Sequence, residues 1–311
     1  MNFLQILSDI EQVDPEVYER LDSRRAVFKN LSGLGQKLTA AALPLAVGAI
    51  FNKAYAQTPV GASVTNVLNF ALKLEYLESY FYNARTTVTG LSAVNSNALA
   101  LIATDEANHV TFLRGVLGSN AIPVPSVATF DYTAKGAFPT VLTNADTYLA
   151  VAQSFEDLGV RAYKGAAPLV MSNKAVLTAA LSIHAVEARH ASHIRAMRRA
   201  GPSSSTPSQG TPIVSSPNTA PKSWVSGLDG GGAVPRYTSA IYGAGSDTNA
   251  PAGLNFLAED NTTQGGINLH SLPNTSTFSA TAFSEAFDEG LDVGTVARIA
   301  NLFSVSGNYF G

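Results

Sequence analysis

The feature that most constrains this chain is an internal repeat at a constant offset of 81 residues. The repeat needs no gap and includes apolar and charged positions alike. A helical hairpin used twice in this way is expected to give the folded chain a pseudo-two-fold axis. The polar matches pair Glu75 with Glu156, Tyr82 with Tyr163, Glu106 with Glu187, and His109 with His190.

The repeat lies within residues 57–200, where apolar residues recur with the period of an α-helix. Cap and turn residues divide this zone into four predicted helices, at 64–85, 96–117, 144–167 and 174–199. About 25 residues separate the second helix from the third, and the other connections are shorter. One long crossover in the middle is typical of a four-helix bundle whose second and third helices run parallel.

Carboxylates are scarce in this zone and fall on the repeat. Residues 57–200 contain five glutamates, of which four occupy repeated positions. A carboxylate on an apolar helix face is costly to bury unless something compensates its charge. Two helices each offer one such Glu, and the other two each offer Glu-x-x-His, whose side chains share a helix face. The predicted ligands of two bridged metal ions are therefore Glu75, Glu106, His109, Glu156, Glu187 and His190.

Several other polar residues lie near these positions. Tyr82 and Tyr163 each follow a ligand Glu by two turns, so we expect their hydroxyls to orient carboxylates. A redox-active tyrosine is the alternative. Glu78 follows Glu75 by one turn, but its repeat mate is Gly159, so Glu75 is the favoured ligand. Glu78 is expected to support the ligands or to act as an extra one.

Some other titratable residues of the bundle have expected positions of their own. His184 and His193 flank the ligand pair of the fourth helix and are expected at an interface or the surface. Asp105 and Asp157 adjoin ligands and are expected to be solvated or to support them. The last turn of the fourth helix contains Arg195, Arg198 and Arg199, which suit the negative end of the helix dipole.

Three segments carry a resemblance to a known family. Residues 74–82 resemble the first helix of ferritins, 105–109 the second, and 187–190 the fourth. The chain resembles the ferritin-like superfamily, and more narrowly an exported branch that includes plant desiccation-related proteins and bacterial homologues. Residues 258–266 and 285–289 are similar to the tails of those bacterial members. The resemblance implies an all-α, ferritin-like four-helix bundle.

The expected chemistry follows from the ligand set and the resemblance together. Carboxylate and imidazole ligands suit two iron ions, with manganese or zinc as alternatives. The resemblance implies that Fe(II) is oxidised by O2 or peroxide in stress protection. Iron storage, or a non-catalytic structural or assembly role on the same scaffold, are the competing hypotheses. A homo-oligomer is expected, but a closed cage is not favoured because roughly 110 residues follow the bundle.

Composition excludes several other classes of function. The chain has no cysteine, which excludes disulfides, thiolate metal sites and iron–sulfur clusters. A net charge of −3 argues against a nucleic-acid partner, which would require a basic face.

The segments outside the bundle have their own patterns. Residues 1–56 contain paired arginines, an apolar run at 38–51 and an Ala-x-Ala site, so they predict a twin-arginine export signal and a periplasmic or exported protein. A retained N-terminal helix in a cytoplasmic protein is the alternative. Residues 201–222 are predicted to be an unpacked linker. Residues 223–311 are predicted to be a largely irregular extension with short helices at 281–289 and 293–303. Its contact with the bundle or a partner subunit is expected through Val296, Ile299, Leu302 and Phe303.

Overall fold

The computed structural model describes residues 64–206, 221–229, 235–273, 275 and 277–311. The predicted export segment, 1–56, and residues 207–220 of the predicted linker lie outside the described residues. In the part of the chain that is described, no helix has both the length and the apolar character needed to cross a membrane.

Four long helices form the bundle, as the sequence predicts. They are α1 (Val64–Asn83), α2 (Ala93–Leu117), α3 (Ala145–Ala166) and α4 (Lys174–Ala200). The last three begin after a capping side chain, since Ser92, Asn144 and Asn173 each accept a hydrogen bond from the backbone N–H three residues later. The Ser92 cap explains why α2 begins three residues before its predicted start.

The two halves of the repeat form two helical hairpins, because α1 packs along α2 and α3 packs along α4. Residues 118–144 connect the hairpins, and the Tyr132 hydroxyl holds this crossover against α1 by donating to the Leu77 carbonyl at 3.1 Å. Aromatic rings fill the space between the halves. Phe81 of α1 stacks on Tyr148 of α3 at 4.4 Å, and Phe155 of α3 meets the Phe81 ring edge-on at 5.0 Å.

The C-terminal extension contains short elements joined by irregular chain. In its described residues these are α5 (Pro235–Tyr242), an antiparallel hairpin of β1 (Thr263–Gln264) and β2 (Ile267–Asn268), α6 (Ala280–Ser284) and α7 (Val293–Ala300). The two predicted helices are present but shorter than expected. The sequence analysis did not predict α5 or the hairpin.

The extension docks on α3 of its own bundle. Val296, Ile299 and Phe303 are buried, as predicted. The Phe303 ring meets Phe155 of α3 at 4.6 Å. Leu302 is 42% exposed, so it does not dock on the bundle, and its contact with a partner subunit stays a prediction. It follows α7 in a short 3-10 turn whose other apolar side chain faces the core.

A buried arginine holds the extension to the bundle. Arg161 of α3 is only 1% exposed, and its Nε lies 2.8 Å from a carboxylate oxygen of Glu259. The guanidinium therefore compensates the buried charge of Glu259 and binds the backbone of three separate segments of the extension. Its N–H groups also donate to the backbone carbonyls of Ile241, Gly243, Leu257, Glu289 and Gly290.

A second buried ion pair corrects two expectations. Arg195 does not serve the helix dipole, because it is 1% exposed and pairs with Asp157 of α3 and Asp229 of the extension. Asp157 is therefore neither solvated nor part of the metal site. It also accepts a hydrogen bond from the hydroxyl of Tyr242 at 2.7 Å. The carboxylate of Asp229 is itself buried.

Both ends of the predicted linker pack, which corrects the expectation that it does not. The carbonyl of Pro202 accepts hydrogen bonds from Ser92 N at 3.0 Å and from Asn95 Nδ2 at 2.7 Å. At the other end, Arg199 donates to the Pro221 carbonyl at 3.1 Å. Arg199 and Arg198, which donates to Gln153, are thus engaged with the protein and do more than face the end of the helix dipole.

Candidate metal centre

The centre of the bundle contains two overlapping groups of metal-ligand side chains. In each group, one ligand atom per residue lies within 4.8 Å of the other three. Glu106 and Glu187 belong to both groups, as two bridging carboxylates would. The first group is Glu75, Glu106, His109 and Glu187, and the second is Glu106, Glu156, Glu187 and His190.

All six predicted ligands therefore meet, and each of the four long helices contributes at least one. The four glutamates are fully buried, and His109 and His190 are 8% and 6% exposed. Spacing explains the convergence, because i and i+3 residues of α2 and α4 share one face, and Glu75 of α1 and Glu156 of α3 face them. Metal binding by these residues stays a prediction.

The imidazoles point their Nδ1 atoms at the carboxylates. His109 Nδ1 lies 3.1 Å from Glu75 Oε2, 3.2 Å from Glu106 Oε2 and 3.4 Å from Glu187 Oε1. His190 Nδ1 lies 2.9 Å from Glu106 Oε1 and 3.3 Å from Glu156 Oε2. Each imidazole thus faces the one glutamate that belongs only to its own group, and also at least one of the two shared glutamates.

The two tyrosines cross between the repeat halves. The Tyr82 hydroxyl of α1 donates to Glu156 Oε1 of α3, and the Tyr163 hydroxyl of α3 donates to Glu75 Oε1 of α1. Burial, and then the adjacent carboxylate, raises the pKa of both phenols well above its usual value, so both remain protonated donors. The expectation that they orient carboxylates agrees with this geometry. The structure thus shows each tyrosine bonded to a candidate ligand carboxylate of the opposite half.

The support of the two imidazoles is not symmetric. His190 Nε2 lies 3.1 Å from Asp105 Oδ2, a contact that fixes the ring and leaves Nδ1 for the centre. The repeat mate of Asp105 is Val186, so no equivalent carboxylate supports His109. Asp105 is therefore a supporting residue, one of the two roles expected of it. His184 lies outside the centre, where its Nδ1 is 2.9 Å from the carbonyl of Val160.

A second asymmetry involves Glu78 and Gly159, which occupy the same repeat position. Glu78 is buried, and the pKa of its carboxyl is raised well above the usual value by burial and then by Glu187 and the other glutamates. A Cβ atom at Gly159 would lie 2.7 Å from Glu187 Oε2. Gly159 thus makes room for a shared carboxylate. The sequence analysis missed this role, although the sequence shows a glycine inside a predicted helix at the repeat position of Glu78.

Mutual repulsion and burial dominate the electrostatics of the centre. Burial raises the pKa of Glu75 to about 7. Burial and the neighbouring carboxylates raise the pKa of Glu187 well above its usual value. Burial opposes the charge of His190, but Glu156 and Glu106 outweigh it and raise its pKa to about 12. Glu106 has the opposite shift, because the adjacent imidazoles of His109 and His190 overcome burial and lower its pKa to about 2.

The donor set fits divalent cations. Five of the potential ligand atoms are buried and make no hydrogen bond of acceptable geometry among the described residues, although several of them lie close to one another: Glu106 Oε1, Glu156 Oε2, both carboxylate oxygens of Glu187, and His190 Nδ1. Unsatisfied buried acceptors are costly and require an explanation. Cations placed between the two groups would satisfy these atoms and offset the excess of negative charge.

Comparison with known proteins assigns the bundle to a family. Residues 63–200 match the family model of the ferritin-like domain. This segment is a ferritin-like domain. Searches among curated proteins and among solved structures each gave no match. The ferritin-like domain ends where α4 ends, so the match does not extend to the C-terminal extension.

Proposed function

We propose that this ferritin-like protein binds two iron ions in the bundle and oxidises Fe(II) with O2 or peroxide, which limits free iron and peroxide under stress. The observation that supports this most is the sharing of Glu106 and Glu187 between the two ligand groups. Two ions that share carboxylates can each give one electron to the same oxidant. Carboxylate and imidazole ligands accommodate both Fe(II) and Fe(III).

The reaction balances with two Fe(II) ions as substrates. Each ion loses one electron, and one O2 takes both electrons with two protons to leave as hydrogen peroxide. When peroxide is the oxidant, the same two electrons and two protons yield two water molecules. Either way the centre must accept two ions and release two Fe(III).

The residues of the chain would have distinct roles in this reaction. Glu75 with His109, and Glu156 with His190, would each hold one ion, while Glu106 and Glu187 would hold both. Tyr82 and Tyr163 would keep the glutamates of the opposite half in position. Because the four glutamates are fully buried, bulk water is excluded from the site.

The test is the rate of Fe(III) formation after anaerobic Fe(II)-loaded protein is mixed with O2, with oxygen uptake recorded in parallel. We expect Glu106→Ala and Glu187→Ala to slow oxidation at least tenfold, because each removes a ligand shared by both ions. Asp146→Asn is the matched control, since this carboxylate is exposed on α3. The proposal fails if the parent oxidises Fe(II) no faster than buffer, or if both alanine variants match the parent.

A further inference from the structure

A cavity of about 460 Å³ opens beside the metal centre. It lies between the C-terminal end of α2 and the N-terminal half of α4, with Leu68 of α1 and Tyr163 of α3 in its wall. The hydroxyl of Tyr163 donates to Glu75 of the first ligand group. We propose that this cavity binds a small, neutral, apolar molecule, a hydrocarbon chain or an aromatic ring system, in contact with Tyr163.

The lining dictates the chemical class of the ligand. None of the twelve residues that line the cavity is charged. The polar side chains among them have partners, since Tyr163 donates to Glu75, Asn173 accepts from Val176 N, and Thr178 donates to the Lys174 carbonyl. A charged or strongly polar ligand would lose its hydration without replacement here, which is costly. An apolar ligand gains from burial of its surface.

The volume sets the size of the ligand. A dry cavity of about 150 Å³ holds one benzene molecule, and pockets for small molecules run from about 300 to 1,000 Å³. At about 460 Å³ the cavity is in that range. The cavity is open on one side, so this is the volume of a surface pocket and not of a sealed void.

The internal repeat shows that the space is particular to one half of the bundle. The repeat mates of Ala180 and Val116, which line the cavity, are Leu99 and Met197, and both are fully buried. At these two positions the half of the bundle that contains Tyr82 therefore has larger, fully buried side chains. In that half the carbonyl of Pro202 accepts hydrogen bonds from Ser92 and Asn95, the repeat mates of the lining residues Asn173 and Val176. The cavity therefore results from side chains that differ between the two halves, and not from the duplicated backbone alone.

The mouth of the cavity is accessible in the described part of the chain. Phe112 and Val116 are 45% and 46% exposed and form part of its wall. Exposed apolar patches of this kind mark sites of interaction. Three occupants compete for this face, namely a small apolar molecule, a second copy of the chain, and a segment of residues 1–63. The volume of about 460 Å³ and the absence of charged residues from the lining favour the small molecule.

The test is fluorescence titration of the full-length chain with N-phenyl-1-naphthylamine, a neutral apolar probe, followed by displacement with n-nonane. We expect one probe molecule per chain. The informative variant copies the filled half of the repeat by combining Ala180→Leu with Val116→Met. It is expected to weaken binding of the probe at least tenfold. Ala179 also lines the cavity, so Ala179→Phe is a second filling variant. Ala185→Leu is the control on the exposed side of α4 and should change the affinity less than twofold.

Three results would overturn the inference. The first is a parent that does not bind the probe, as a segment of residues 1–63 in the cavity would cause. The second is equal binding by the parent and both filling variants. The third is binding only after dilution has dissociated a dimer, seen by gel filtration, which would assign the face to a second copy. Iron oxidation is measured separately, so failure of either proposal leaves the other standing.

Discussion

The hydroxyl of Tyr163, on α3, donates a hydrogen bond to Glu75, on α1, and the repeat-related Tyr82 does the same for Glu156 in the opposite direction. Each half of the duplicated hairpin therefore positions a carboxylate of the other half. The two ligand groups depend on each other through these bonds as well as through the shared Glu106 and Glu187.

Removing one of these hydroxyls should weaken the binding of one metal ion more than the binding of the other. Tyr163→Phe leaves Glu75 without its donor, so we expect about a tenfold loss of affinity for the ion held by Glu75 and His109. Tyr82→Phe should have the corresponding effect on the ion held by Glu156 and His190. Anaerobic calorimetric titration with Fe(II) resolves the two steps. Tyr132→Phe is the control. It removes a buried hydroxyl of the crossover that donates to the Leu77 carbonyl of α1 and not to a candidate ligand.

Two glycine-to-alanine substitutions distinguish an effect on helix stability from an effect on the geometry of the metal centre. Alanine inside a helix is favoured over glycine by about 1 kcal/mol. Gly115→Ala in α2 meets no atom within 4 Å and should stabilise the fold by up to that amount. Gly159→Ala would place its Cβ 2.7 Å from Glu187 Oε2, so it should displace that carboxylate and lower Fe(II) affinity at least tenfold. Equal metal binding by the two variants would contradict the role given to Gly159.

Metal binding should release protons at neutral pH. The glutamates raise the pKa of His190 to about 12 and that of His109 still higher, so both imidazoles are protonated before metal enters. A metal ion binds only the neutral imidazole, and two protons or more should leave per chain when both ions bind. Since protons are products, affinity should fall as the pH is lowered.

Calorimetry at pH 7 in buffers of different ionisation enthalpy counts the released protons. His184→Gln is the control and should leave the count unchanged, because burial lowers the pKa of His184 and keeps it neutral. Binding of two ions without proton release would show that the imidazoles are not charged in the metal-free centre.

The attachment of the extension should depend on Arg161. Arg161→Met keeps the volume of the side chain but leaves Glu259 buried without its cation, which typically costs about 3–5 kcal/mol. We expect that loss in urea unfolding, together with faster proteolysis within residues 235–311. Arg189→Met on the exposed surface of α4 should change neither. Equal stability of the two variants would show that the extension is held by its apolar contacts alone.

The sequence predicts the bundle and the meeting of its six candidate ligands because both follow from local spacing. The 81-residue repeat places Glu106 with His109, and Glu187 with His190, on equivalent helix faces. It also pairs Glu78 with Gly159, although the crowding around Glu187 emerges only when α3 and α4 are packed.

Long-range partners could not be predicted in this way. Arg195 and Asp157 are visible as charges near the ligands, but their partners Asp229 and Tyr242 come from the extension. Arg161 likewise bonds carbonyls of irregular chain 80 to 129 residues away. No periodicity marks such acceptors, so the docked extension required the three-dimensional structure.

The most direct test of the central claim is anomalous diffraction at the iron edge from crystals loaded with Fe(II) in the absence of oxygen. We expect two iron peaks per chain, both bonded to Glu106 and Glu187. One should also bind Glu75 and His109, and the other Glu156 and His190. A single peak, or two peaks that share neither glutamate, would contradict the paired centre.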